Sequence, residues 1–296
     1  MGKHQAVHRL VERVAQLNAW ARIFLFLLLL GAVWLPFGAA VYLPSGWFYE
    51  SNTAEIVVLV LLYFGFLVGL PFWGQWVHGW KSAFVRCGLR VRSQFFKDLW
   101  LALLIGAFGV FALFGIETLL GWATPTAPSP RLVRFIIEGL VMALAVAFAE
   151  EMLFRGWVLS ELEQDYHSAV SLSMSAIFFA AMHFIKPVSE IIRTLPQFLG
   201  LVILGIALGW ARRSPTGKIG SQVASLGYPI GLHAGLIWGY YIVNVGGLSD
   251  YTGRAPEWLT GIDSNPLAGL LGLILLGLIA SAFAKTAKPA SYLDCA

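Results

Sequence analysis

The chain has 296 residues, of which 58% are hydrophobic and 12% are charged. A soluble domain carries about 25% charged residues, so this composition excludes an ordinary water-soluble globule and points to an integral membrane protein. The net charge of +4 is assigned to loop cations on one side of a bilayer rather than to nucleic-acid binding.

In chain order, Val7, Leu10, Val11, Val14 and Leu17 recur at helical spacing among His8, Arg9, Glu12 and Arg13. That pattern predicts an amphipathic helix lying on the membrane surface; the alternative is a frayed polar tail. A membrane span needs about 20 predominantly apolar residues. By that ruler eight stretches qualify, at about 22–43, 55–73, 98–122, 133–157, 169–188, 195–211, 223–246 and 265–284. The first carries Trp34, Pro36 and Pro44, and its apolar run is too long for a cleavable signal. Pro/Gly-rich breaks at Thr124–Pro130 and Ser214–Gly220 read as loops between spans, too short to separate domains.

The expected fold class is therefore all-α, a polytopic helical membrane bundle of about eight transmembrane helices. The expected organisation is a cytoplasmic amphipathic segment over 1–21, one multi-pass membrane domain over 22–284 and a cytoplasmic tail over 285–296. With both termini on one side, that side receives 14 of the Lys and Arg residues, including Arg212, Arg213 and Lys218, and the other side receives 5. This bias predicts cytoplasmic termini in a plasma or inner membrane. The acidic run Glu161, Glu163 and Asp165 falls in a loop on the same side.

Cys87 and Cys295 stand alone, without a Cys-x-x-Cys or a Cys/His cluster, so neither a disulfide scaffold nor a structural zinc site is expected. No P-loop, dinucleotide fingerprint or His-Glu-x-x-His occurs. No cofactor and no metal are expected.

The residues that could carry chemistry are the ionisable ones inside apolar stretches, which cost roughly 2.5 kcal/mol or more each on insertion scales. Glu151 and Arg155 are four apart with the glutamate first, the favourable order for an ion pair on one helix face. Glu150 is left on a neighbouring face, and an unpaired buried carboxylate suits a general base. An equally weighted reading makes both acids part of one Arg-centred cluster that only locks helices. In the next stretch Phe179 and His183 are one turn apart, so an aromatic ring can pack beside the imidazole. His233 lies among Gly231, Ala234 and Gly235, small residues that permit close helix approach. Glutamate with two histidines also matches zinc ligand types, a weaker idea without His-Glu-x-x-His.

Glu-Glu-x-x-x-Arg, then Phe-x-x-x-His, then a histidine in a later span resembles the CPBP family of intramembrane glutamic endopeptidases, the group of the CAAX prenyl endopeptidase and the bacterial Abi proteins. The resemblance is best over about 140–240, where Gly205-Ile-Ala-Leu-Gly209, Arg212, Gly217, Ile219 and Pro229-Ile-Gly-Leu-His-Ala-Gly also fit the family's run into its last motif. It implies a protease without a catalytic metal, in which Glu150 and His183 activate a water, Glu151 and Arg155 organise the site, and His233 helps stabilise the oxyanion. It also implies a membrane protein or lipidated peptide as substrate. The family often has His-x-x-x-Asn, and this chain has Ile237 where that asparagine would be. A non-catalytic scaffold or immunity-type protein that keeps the protease fold is the alternative, and a transporter using its acids as proton relays is a third reading.

Overall fold

The computed structural model describes residues 2–43, 51–215 and 224–288. Pro44, Gly217, Lys218, Ile219 and Cys295 lie outside them, as do the side chains of Lys3 and Val7. The protein is an all-α membrane bundle. It divides into two compact units, Met1–Arg86 with Ser160–Asp165, and Cys87–Leu159 with Tyr166–Ala296.

In the first unit, α1 (Gly2–Ala15), α2 (Ala19–Tyr42) and α3 (Ser51–His78) follow one another, with one further helical turn at Ala83–Arg86. Asn18 caps α2, its side chain accepting from the Ala21 N–H at 2.9 Å and satisfying a donor that the helix start leaves open. Phe26 of α2 packs on Phe66 and Trp73 of α3, and Gly69 gives the Phe26 ring room to approach. Glu161, expected in a loop, belongs instead to a helix, Leu159–Asp165, and is fully buried. Arg22 Nε donates to it at 3.0 Å, Trp73 Nε1 at 2.8 Å, and His78 Nε2 lies at 2.7 Å. Burying a carboxylate costs several kcal/mol unless such partners surround it, and its partners lie so far away in sequence that local spacing gives no hint of them.

The second unit holds α4 (Ser93–Leu119), α5 (Leu132–Glu151), a π-helical segment (Met152–Val158), α6 (Leu159–Asp165, whose first residue alone is in this unit), α7 (Ser168–Met182), α8 (Val188–Thr194), α9 (Gln197–Arg213), α10 (Gly227–Asn244) and α11 (Leu270–Thr286). Two three-residue strands, Ala123–Pro125 and Ser249–Tyr251, pair antiparallel; they are too short for a period-2 pattern to announce them. Its core gathers Val110 and Phe114 from α4, Leu208 from α9, Leu232 and Leu236 from α10 and Leu276 from α11.

Each of the eight expected stretches contains a helix. Among the described residues, four helical runs are by length and composition long and apolar enough to cross a membrane, or five if α8 and α9, bent by 73° at Leu195–Pro196, count as one broken span. The helices α7, α10 and α11 are shorter, with 15, 18 and 17 residues.

One helix pair fixes the site. On α10, Gly227, Gly231, Gly235 and Gly239 recur every fourth residue and face α4. A methyl group at Gly231 would stand 2.0 Å from the Leu99 carbonyl oxygen, and one at Gly235 would stand 2.1 Å from that of Leu103. The two backbones are therefore in direct contact, as small-residue stripes allow between membrane helices. His233 is two residues from both Gly231 and Gly235, about 200° around the helix, and so projects away from α4.

Candidate functional site

Glu150 and Glu151 are the last residues of α5, and the chain then widens into the π-helical segment Met152–Val158. Such segments are rare and recur at functional sites. Arg155 lies within it, and its Nη1 donates to Glu151 Oε1 at 3.0 Å. The pair is closed to solvent, with side-chain exposures of 1% and 0%. The same Glu151 oxygen meets His233 Nδ1 at 2.8 Å. The Arg155 guanidinium also sits 4.1 Å from the centroid of the Phe179 ring, a cation–π contact worth about 2 kcal/mol or more when desolvated. Arg155, Glu151, His233 and Phe179 thus form one dry cluster joining the π segment to α7 and α10.

Glu150 belongs to a second, wetter pair. Its Oε2 lies 3.7 Å from His183 Nε2, and the two side chains are 29% and 33% exposed. His183 is the residue at which α7 ends, and its Nδ1 lies 2.8 Å from the Phe179 carbonyl oxygen. A carbonyl only accepts, so that contact assigns the proton to Nδ1 and leaves Nε2 of the neutral ring as an acceptor aimed at Glu150. Phe179 stands beside both pairs, its ring centroid 4.5 Å from that of His183 and 6.1 Å from that of His233.

All six residues singled out from the sequence are therefore in one region, in two pairings. His233, which the sequence grouped with Glu150 and His183, is bonded to Glu151 rather than to Glu150. Ile237 is half-buried one turn further along α10. No group of three or more His, Cys, Asp or Glu side chains that could hold a metal ion occurs among the described residues.

A cavity of about 350 Å³ opens beside His183, walled by Leu201 and Leu204 of α9, Leu236 of α10 and Leu276 of α11, with Gln197 and Asn265 on its lining. Sequence reasoning missed this wall, because Asn265 comes from a loop that folds back by unusual backbone geometry. Gly261 has φ 98°, and Asp263 and Ser264 are both left-handed, at φ 57° and 58°. Such conformations cost of order 1–3 kcal/mol each in non-glycine residues and persist only where surroundings over-determine them. Here Arg193 of α8 grips Asp263, Nη1 to Oδ1 at 2.7 Å. The hydrogen bonds from Arg193 hold the Asp263 carboxyl below the usual carboxylate range.

Residues 132–239 match the family model described as type II CAAX prenyl endopeptidase Rce1-like, consistent with the CPBP and CAAX protease family. Glu150, Glu151, Arg155, Phe179, His183 and His233 all lie inside the matched segment. No curated protein matches the chain, and no solved structure does.

Proposed function

Taking the Rce1-like segment at 132–239 as premise, we propose that this membrane protein is an intramembrane endopeptidase in which Glu150 and His183 activate a water for attack on a peptide carbonyl. The observation that carries the reading is the spacing of two unfilled acceptors, Glu150 Oε2 and His183 Nε2, at 3.7 Å. One water donating a hydrogen to each satisfies both. As its oxygen bonds to the carbonyl carbon, Glu150 takes one of its protons; the protonated carboxyl then delivers that proton to the departing amine as the C–N bond breaks. A positioned base of this kind contributes typically 10²–10⁴ in rate.

The second pair supports a different role. Glu151 and Arg155 neutralise each other and are shut from water, so neither is free to exchange protons with a substrate. Their arrangement instead fixes His233, whose Nδ1–H is given to the Glu151 carboxylate; its Nε2 donates to the tetrahedral oxygen in the imidazolium form, in which both ring nitrogens carry a proton. Losing one donor of that kind typically costs about 10²–10³. The substrate class that fits a site built inside a membrane bundle is a membrane protein or lipidated peptide.

The alternative, a non-catalytic scaffold or immunity-type protein, is favoured by one observation: Ile237 places a hydrocarbon side chain one turn beyond His233. The two readings separate in one experiment. Purified protein in liposomes, offered a panel of fluorescence-quenched membrane-anchored peptides, is expected to cleave, and Glu150→Gln is expected to lose at least about 10² of that rate with an unchanged melting midpoint. Absence of cleavage by the unmodified protein, or equal cleavage by both, overturns the hydrolytic reading.

A further inference from the structure

Resting on the proposed hydrolytic site, we infer that the cavity beside His183 is the seat of an extended peptide strand, whose backbone is held by the side chains of Gln197 and Asn265. Both residues lie on the cavity wall, and Asn265 lies beyond the segment matched by the family model.

Five of the twelve lining residues are leucine, and a peptide group buried against hydrocarbon must find a hydrogen-bond partner. A carboxamide both donates and accepts, so it matches a peptide group on either edge. The two available ones have capacity left. The side chain of Gln197, the first residue of α9, makes no hydrogen bond to any described residue. Asn265 Oδ1 accepts from the Leu267 N–H at 3.1 Å, which turns its amide nitrogen to the other side, where it has no partner among the described residues. Both stand on rigid mounts. Gln197 follows the sharp bend between α8 and α9. Asn265 ends the left-handed turn at Asp263 and Ser264, with its own N–H bonded to the Ile262 carbonyl at 3.1 Å.

The rest of the loop is built to that end. A methyl group at Gly261 would lie 1.7 Å from the Asn265 carbonyl oxygen, so this approach is possible only with glycine there. Arg193 and Tyr240 hold Asp263 from two helices, α8 and α10. Backbone strain of this kind, fixed from several directions and ending in a carboxamide with an unpaired donor, is what a preorganised binding group requires. The leucines favour a strand that presents an aliphatic side chain next to the bond facing His183, and Lys186 on the same lining disfavours a basic one.

The test separates binding from chemistry by using the Glu150→Gln protein, in which the proposed base is absent. Affinity is read by fluorescence anisotropy with a fluorescein-labelled eight-residue leucine/alanine peptide in detergent micelles, and with the same peptide N-methylated at alternate amides. In the Glu150→Gln background the parent peptide should bind about tenfold more tightly than the N-methylated one, as expected for a lost peptide donor leaving its partner unmet. Asn265→Asp, which keeps the acceptor that caps Leu267 but removes the donor, and Gln197→Leu should each weaken the parent peptide several-fold. Together they should nearly abolish the difference between the two peptides. Asn265→Asp guards against misfolding, and its melting midpoint should match that of Glu150→Gln alone. Equal binding of the two peptides, or unchanged affinity in both variants, overturns the inference. Binding as expected with no cleavage by the unmodified protein sinks the hydrolytic reading alone.

Discussion

The contact between α4 and α10 lends itself to a substitution whose cost follows from geometry. Replacing Gly235 by alanine puts a methyl carbon 2.1 Å from the Leu103 carbonyl oxygen, where ordinary contact begins at 3.4 Å. The neighbour is backbone, so no side chain can swing aside, and the helices must part by about 1.3 Å, the difference of those distances. Overpacking of this kind costs about 1–3 kcal/mol, while alanine gains about 1 kcal/mol over glycine in a helix. The second term is isolated by Gly277→Ala on α11, where an added methyl meets nothing within 4 Å. The expected difference between the two variants is the steric term alone. By thermal unfolding in detergent, Gly277→Ala should melt at or slightly above the unmodified protein, and Gly235→Ala should melt several degrees below Gly277→Ala. Because His233 projects away from α4, moving α10 by that amount also displaces its ring relative to Glu151, 2.8 Å away, so turnover per folded molecule should fall as well. Equal midpoints for the two alanine variants would refute the close backbone contact and the reasoning built on it.

Two further outcomes test the two pairs. Arg155→Ala should lower stability by about 3–5 kcal/mol, because it strands a buried carboxylate on Glu151, and folded yield should fall with it; an unchanged yield and midpoint would remove Arg155 from the structural cluster. Cleavage should survive extensive dialysis against a strong chelator, since a glutamate and a histidine can activate water without a Lewis acid. Loss of turnover on chelation, restored by stoichiometric zinc, would recast Glu150, His183 and His233 as metal ligands.

What could be read from the sequence was whatever depends on neighbours along the chain. The spacing of Glu151 and Arg155, the ring of Phe179 beside His183, and the small residues around His233 are all separated by four residues or fewer, and a helical ruler is enough to relate them. The division between Glu150 and Glu151 came partly from that ruler and partly from a family resemblance. Pairing across helices was beyond it. That His233 takes Glu151 depends on how α10 packs against α5. That Glu161 is a buried acid depends on Arg22, Trp73 and His78, each far away in sequence. The π-helical widening at Met152–Val158 leaves the run of apolar residues intact, so hydrophobic periodicity does not reveal it. Asn265 is placed by left-handed turns at Asp263 and Ser264, residue types that give only a weak hint of such a backbone.

Phe179 has a consequence for how charge moves in the site. Its ring touches the imidazoles of both His183 and His233, yet it carries neither a dissociable proton nor a lone pair. Through that ring the two carboxylate–imidazole pairs have no relay, so a proton taken up by Glu150 has no conducting route there to Glu151. In the proposed reaction the aromatic residue acts as an insulator between a pair that changes its charge during each turnover and a pair that keeps it. Two adjacent glutamates can then hold opposite assignments, one as a switch and one as a fixed electrode, although their backbones are consecutive.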